Sequence, residues 1–139
     1  MVRSHCDPHM ISFVYFDVGG VVNLDFSETS KWYELKRDLI GDSVEKHAIF
    51  DKIWKRTRNK ICIDCDVDTL ISVFEKKLGV KFSENYSLLD DFIRRFEKNP
   101  SIWPVIRKIS KTCKVGLLTN MYPRMLDAIQ KKNILPKVS

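Results

Sequence analysis

Two short segments carry residues whose type and position could do chemistry. The first is Asp17-Val-Gly19-Gly20, which closes the apolar run Ile11-Ser-Phe-Val-Tyr-Phe16. A carboxylate at the end of a strand points into the crevice where open α/β sheets bind ligands. The two glycines let a ligand approach the backbone closely. An Asp so placed could attack an electrophile and hold it as an acyl phosphate or ester, splitting one hard displacement into two. The second segment is Thr119-Asn120, after the short apolar run Val115-Gly-Leu-Leu118. A hydroxyl and an amide there are short donors suited to a phosphoryl oxygen. Either pair alone also reads as the ordinary capping of a strand end. Cys62-Ile-Asp-Cys65 has metal-type spacing, and His5, Cys6 and His9 are further zinc ligands in principle. Their spacing is irregular for a four-ligand site, so the reading here is incidental cysteines. Cys113, beside an apolar run, reads as a small core residue.

The elements that must position these groups follow from periodicity. The runs at about 11–17 and 114–119 lack alternation, which predicts parallel strands covered on both faces. Between them lie helical stripes. Trp32, Leu35, Leu39 and Ile40 form one, and Val44, Ala48, Ile49 and Ile53 another. Leu70, Ile71, Phe74 and Leu78 form a third, with Asp66 or Asp68 as N-cap, and Leu88, Leu89, Phe92, Ile93 and Phe96 a fourth. Asn99-Pro100 and Pro104 break and restart the chain, and Val105, Ile106 and Ile109 line a fifth helix. Met125, Leu126 and Ile129 predict a sixth. A helical block this long exceeds what one crossover needs. It reads as an insertion over the end of the first strand, where it could exclude water from a substrate.

Composition narrows the class. A chain of 139 residues, 44% hydrophobic and 30% charged, fits one folded domain with an insertion. The apolar run before Asp17 is too short for a membrane span or a secretory signal, so the expectation is a cytoplasmic chain with no membrane partner. The net charge is +6. Between residues 104 and 139 eight Lys and Arg face Asp127 alone, and Lys52, Lys55, Arg56, Arg58 and Lys60 cluster separately. Such a field draws in phosphorylated substrates. No zinc-finger, homeodomain or aromatic-basic pattern accompanies it, so nucleic acid is disfavoured as a partner.

Taken together, Phe16-Asp17-Val18-Gly19-Gly20-Val21-Val22, continued by Asn23-Leu24-Asp25, and Gly116-Leu117-Leu118-Thr119-Asn120 resemble the first two motifs of the haloacid dehalogenase-like (HAD) hydrolase superfamily. The continuation Met121-Tyr122-Pro123-Arg124-Met125 is similar too. The resemblance spans about residues 11–135. It implies an α/β fold with a partial Rossmann-like HAD core and a helical cap: a tail at 1–10, an incomplete core at 11–24 and 99–139, and a cap at 25–98. It further implies a Mg²⁺-dependent phosphatase of a small phosphorylated metabolite, acting through an aspartyl-phosphate. Asp17 matches the nucleophile and a magnesium ligand, Gly19 the backbone carbonyl that also binds magnesium, and Gly20, Thr119 and Asn120 the phosphate-binding positions. At position 19 the family usually has a second Asp for acid–base work, which glycine cannot do. The family's third-motif Lys and fourth-motif acidic pair have no assigned counterpart. The expectation is therefore a truncated or degenerate member, with a second copy or a missing C-terminal part completing the sheet. The alternative is a non-catalytic remnant or interaction module.

Overall fold

The computed structural model describes residues 10–61 and 64–137. It is a mixed α/β structure with a small parallel sheet. The elements are β1 (Phe13–Asp17), β2 (Asn23–Leu24), α1 (Lys31–Ile40), α2 (Val44–Ile61) and a 3₁₀ turn (Val67–Leu70). α3 (Ile71–Leu78), α4 (Leu88–Arg95), β3 (Glu97–Lys98), α5 (Trp103–Ile109), β4 (Lys114–Leu118) and α6 (Met125–Lys132) follow. β1 and β4 pair in parallel, from Phe13 opposite Lys114 to Asp17 opposite Leu118.

Among the described residues only one face of that pair is covered, which corrects the expectation of a sheet buried on both sides. Phe16, Val115 and Leu117 pack on Val18, Val22 and the fully buried Ile106 of α5. The other face shows Phe13, Tyr15 and Leu118 to solvent, the last two more than 60% exposed. β1 accordingly alternates in burial, as a strand with one covered face must. The rings of Phe13 and Tyr15 lie 4.5 Å apart over Gly116, whose lack of a side chain leaves them room.

The helical stretch leaves and rejoins the sheet region at one gate. β2 pairs antiparallel with β3, Asn23 opposite Lys98 and Leu24 opposite Glu97. The backbone N–H of Asn99 donates to Val22 O (3.1 Å), and its side-chain amide to Val21 O (2.8 Å). Trp103 Nε1 donates to Val22 O at 2.7 Å. These bonds satisfy backbone groups that would otherwise be stranded at the junction.

Beyond the gate the stripes bury as their spacing requires. All five apolar residues of the fourth stripe are buried, as are Leu35, Ile40, Leu70, Phe74 and Leu78. Phe50 and Phe74, both with no exposed surface, stack at 4.0 Å with rings 9° from parallel. The second stripe holds in part, with Ile49 and Ile53 packed against the core. Val44 and Ala48 face solvent, and α2 buries His47, Phe50 and Ile61 instead. The aromatic Phe50 outweighs the small Ala48 in deciding which side turns inward. Asp66 caps the 3₁₀ turn through the Asp68 N–H at 2.9 Å. The buried carboxylate of Asp91 accepts from Tyr86, Arg94 and Arg95, and Arg95 reaches on to Asp38. Burial, together with the Asp91 carboxylate, holds the Tyr86 phenol well above its ordinary range.

α6 follows β4 in the chain but packs on α4. Met125, Ile129 and Ile134 belong to the helical core, while Met121 and Leu135 touch both that core and the one beneath the sheet. Arg124 adopts a left-handed conformation (φ 66°) and binds Asp66 and Asp68, tying the segment after β4 to the 3₁₀ turn. Cys113 is half-buried at the sheet margin, its thiol donating to Ile11 O at 3.2 Å.

Candidate active site

The parallel register of β1 and β4 brings the two chemistry-bearing segments to one end of the sheet. Because Asp17 lies opposite Leu118, Thr119 leaves β4 at the same end of the sheet, one residue beyond Asp17's partner. An open cleft of about 380 Å³ is lined by Tyr15, Asp17, Leu118, Thr119 and Asn120. Asp17 is exposed there and, among the described residues, makes no ion pair. The half-buried Thr119 hydroxyl has only a long bond to Asn120 O, at 3.4 Å.

A smaller, more enclosed cavity of about 100 Å³ adjoins the cleft and shares Thr119 and Asn120 with it. Its polar side is completed by Gly19, Asn23 and Asp25, and its apolar side comes from the helical block and α6, including Phe26, Phe96, Met125 and Ile129. The turn that delivers these groups converges on one carbonyl. Val18 O accepts from the N–H groups of Val21, Val22 and Asn23. Gly20 takes up a positive φ of 76°, which a side chain would resist.

Asp25 sits directly against Gly19. A side chain at position 19 would begin 2.6 Å from Asp25 Oδ2, so the space left by that glycine is filled by the Asp25 carboxylate. Asp25 Oδ1 accepts from the Ser27 N–H at 2.7 Å. Asn23 is 1% exposed, and neither its amide nitrogen nor its amide oxygen has a partner among the described residues. Leaving such groups unpaired costs on the order of 1–3 kcal/mol each.

The structure thus unites Asp17, Thr119 and Asn120 in one cleft, and places Gly19 with the latter two in its neighbour. Gly20 lines neither; its Cα faces Ser27 and Asp25. Asn23 and Asp25 carried no role in the sequence reading. Their signal was present, since two polar residues right after Val21-Val22 are out of place in an apolar run. Among the described residues, no Lys or Arg lines either cavity. Among the described residues no cluster of three or more His, Cys, Asp or Glu is placed to hold a metal ion. Of the zinc-type residues, His5, Cys6, His9 and Cys62 lie outside the described residues, and Cys65 is exposed with a free thiol. None of the described helices is long and apolar enough to cross a membrane. No protein-family model and no curated protein matches this chain.

Proposed function

We propose that the chain is built as a HAD-like hydrolase of the phosphatase type, with Asp17 as nucleophile toward a small phosphorylated metabolite. The observation that supports this reading is the parallel register that brings the ends of β1 and β4 together, where Asp17, Thr119 and Asn120 line one cleft. Asp17 Oδ would form a bond to phosphorus as the bond to the leaving oxygen breaks. The Thr119 hydroxyl and Asn120 amide would donate to phosphoryl oxygens. Water would then cleave the aspartyl-phosphate, releasing phosphate and restoring the carboxylate. A proton must reach the leaving oxygen, and another must leave the attacking water. Gly19 has no group for this, and Asp25, packed against it, is the further carboxylate lining the paired cavities. The Rossmann-like core would be the β1–β4 sheet with α5, and the helices beyond the β2–β3 gate would act as a cap that keeps water from the smaller cavity.

Magnesium fits the donors in type. It prefers oxygen, uses one or two carboxylates and keeps several waters. The Asp17 carboxylate, which makes no ion pair among the described residues, and the Gly19 carbonyl would hold it. Bound there, it would offset the charge that builds on the phosphoryl oxygens.

A second reading is a phospho-ligand binding or interaction module without turnover. The absence of Lys and Arg from both cavity linings, among the described residues, favours it, because phosphoryl transfer leans on preorganised positive charge. Turnover of p-nitrophenyl phosphate with Mg²⁺ decides between the two. The hydrolase reading expects turnover by the wild type that falls to background in Asp17→Asn. Equal rates in the two proteins, or no turnover by folded wild type, would leave the binding module.

A further inference from the structure

We infer that the chain has a second anion site, distinct from the Asp17 cleft, which binds an oxyanion of the phosphate class carrying two negative charges. The site is a cavity of about 360 Å³ where β3, α5 and the segment after α6 meet. Lys98, Arg107 and Lys137 line it, and among the described residues no acidic one does. Among the described residues none of these three cations forms an ion pair. The nearest acid in sequence, Glu97, is engaged elsewhere, with Lys31 at 3.3 Å.

The walls are fixed by contacts that do not depend on a ligand. Trp103 is anchored by its Nε1–H bond to Val22 O. Lys98 Nζ lies 4.8 Å from the centre of the Trp103 ring, a cation–π contact that holds its ammonium over the indole. Asn133, at the end of α6, has a left-handed conformation (φ 62°) that turns the chain and brings Lys137 to the rim.

Three like charges around one small volume repel one another, and an anion between them removes that repulsion. The Arg107 guanidinium suits two oxygens of a tetrahedral oxyanion at once, while each lysine offers a point charge. A dianion balances two of the three charges and a monocarboxylate only one, which selects the phosphate class. Leu135 and Pro136, which also line the cavity, offer an apolar wall to the organic part of an ester.

The test follows the indole N–H resonance of Trp103 in proton–nitrogen correlation spectra, assigned with Trp103→Phe, without magnesium. Inorganic phosphate, phenyl phosphate and benzoate are titrated in turn. A saturating shift with phosphate or phenyl phosphate, and a much weaker response to benzoate, is expected. Tighter binding of phenyl phosphate assigns the ligand to an organic ester, and equal binding to phosphate itself. Arg107→Ala should weaken binding about tenfold or more, as loss of a charged hydrogen-bonding partner does. Lys111→Ala, an equal change in net charge at an exposed position elsewhere, should leave it unaltered, and the rest of each spectrum reports that the fold is intact. No shift at millimolar ligand, an equal response to benzoate, or equal weakening by Arg107→Ala and Lys111→Ala would overturn the site.

Discussion

Replacing Gly19 with Ala probes the packing on which the candidate site rests. Gly19 is not among the positive-φ glycines, so its backbone suits alanine. In open space the substitution would stabilise the fold by about 0.4–1 kcal/mol, through the unfolded chain. Here the new methyl would lie 2.6 Å from Asp25 Oδ2, well inside the ~3.5 Å of ordinary contact. Asp25 is also held by the Ser27 N–H at 2.7 Å, so the carboxylate yields only by giving up that bond. Overpacking of this kind costs about 1–3 kcal/mol, which leaves Gly19→Ala net destabilising by about 1–2 kcal/mol. Removing Asp25 should reverse the sign. Alone, Asp25→Ala loses one hydrogen bond, about 1 kcal/mol. In that background Gly19→Ala should be neutral or stabilising. Urea unfolding of the four proteins closes the cycle, with an expected coupling of about 1–3 kcal/mol. An equal cost of Gly19→Ala with and without Asp25 would show that the carboxylate does not occupy the space beside Gly19.

Two further outcomes concern the helical block. Phe74→Ala should cost about 3–5 kcal/mol in urea unfolding, because it removes a fully buried ring stacked on Phe50; a loss below about 1 kcal/mol would mean that the stack is not part of the core. The Arg124 guanidinium holds the Asp66 carboxyl below its ordinary value, against the opposing effect of burial. The stability this contributes is present above the unfolded carboxyl value of about 3.9 and is lost as pH falls through the lowered folded value. With Arg124 half exposed the contribution is at most about 1 kcal/mol. The stability difference between wild type and Arg124→Met should therefore be constant near neutrality and shrink below about pH 4. A difference that widens on acidification would reverse the assignment.

The elements with strong local signals were legible in the chain. The stripe from Leu88 to Phe96 needs only 3.6-residue periodicity, and every member is buried. The apolar runs before Asp17 and Thr119 needed only their composition to read as strands, and parallel pairing then followed from chain order. What was not legible depends on partners distant in sequence. β2 and β3 are two residues each, and only their pairing across the helical block makes them strands. Phe13 and Tyr15 look like core residues, yet they are exposed because no described residue packs over that face of the two-stranded sheet. Met125 and Ile129 follow β4 in sequence, but their burial is decided by α4. At the site, Asp17, Thr119 and Asn120 were recognisable as strand-end polar groups. Asp25 was not, because its importance lies in the contact with Gly19 that the turn around Val18 O creates.

The central claim is that the Asp17 carboxylate takes up a phosphoryl group. Quenching the chain during exposure to a reactive phosphate donor, reducing with borohydride and mapping by mass spectrometry reads this directly, since an aspartyl-phosphate is converted to homoserine. The account predicts homoserine at position 17, lost in Asp17→Asn and reduced in Thr119→Ala. An unmodified residue 17 in folded protein, or modification at another carboxylate, would contradict it.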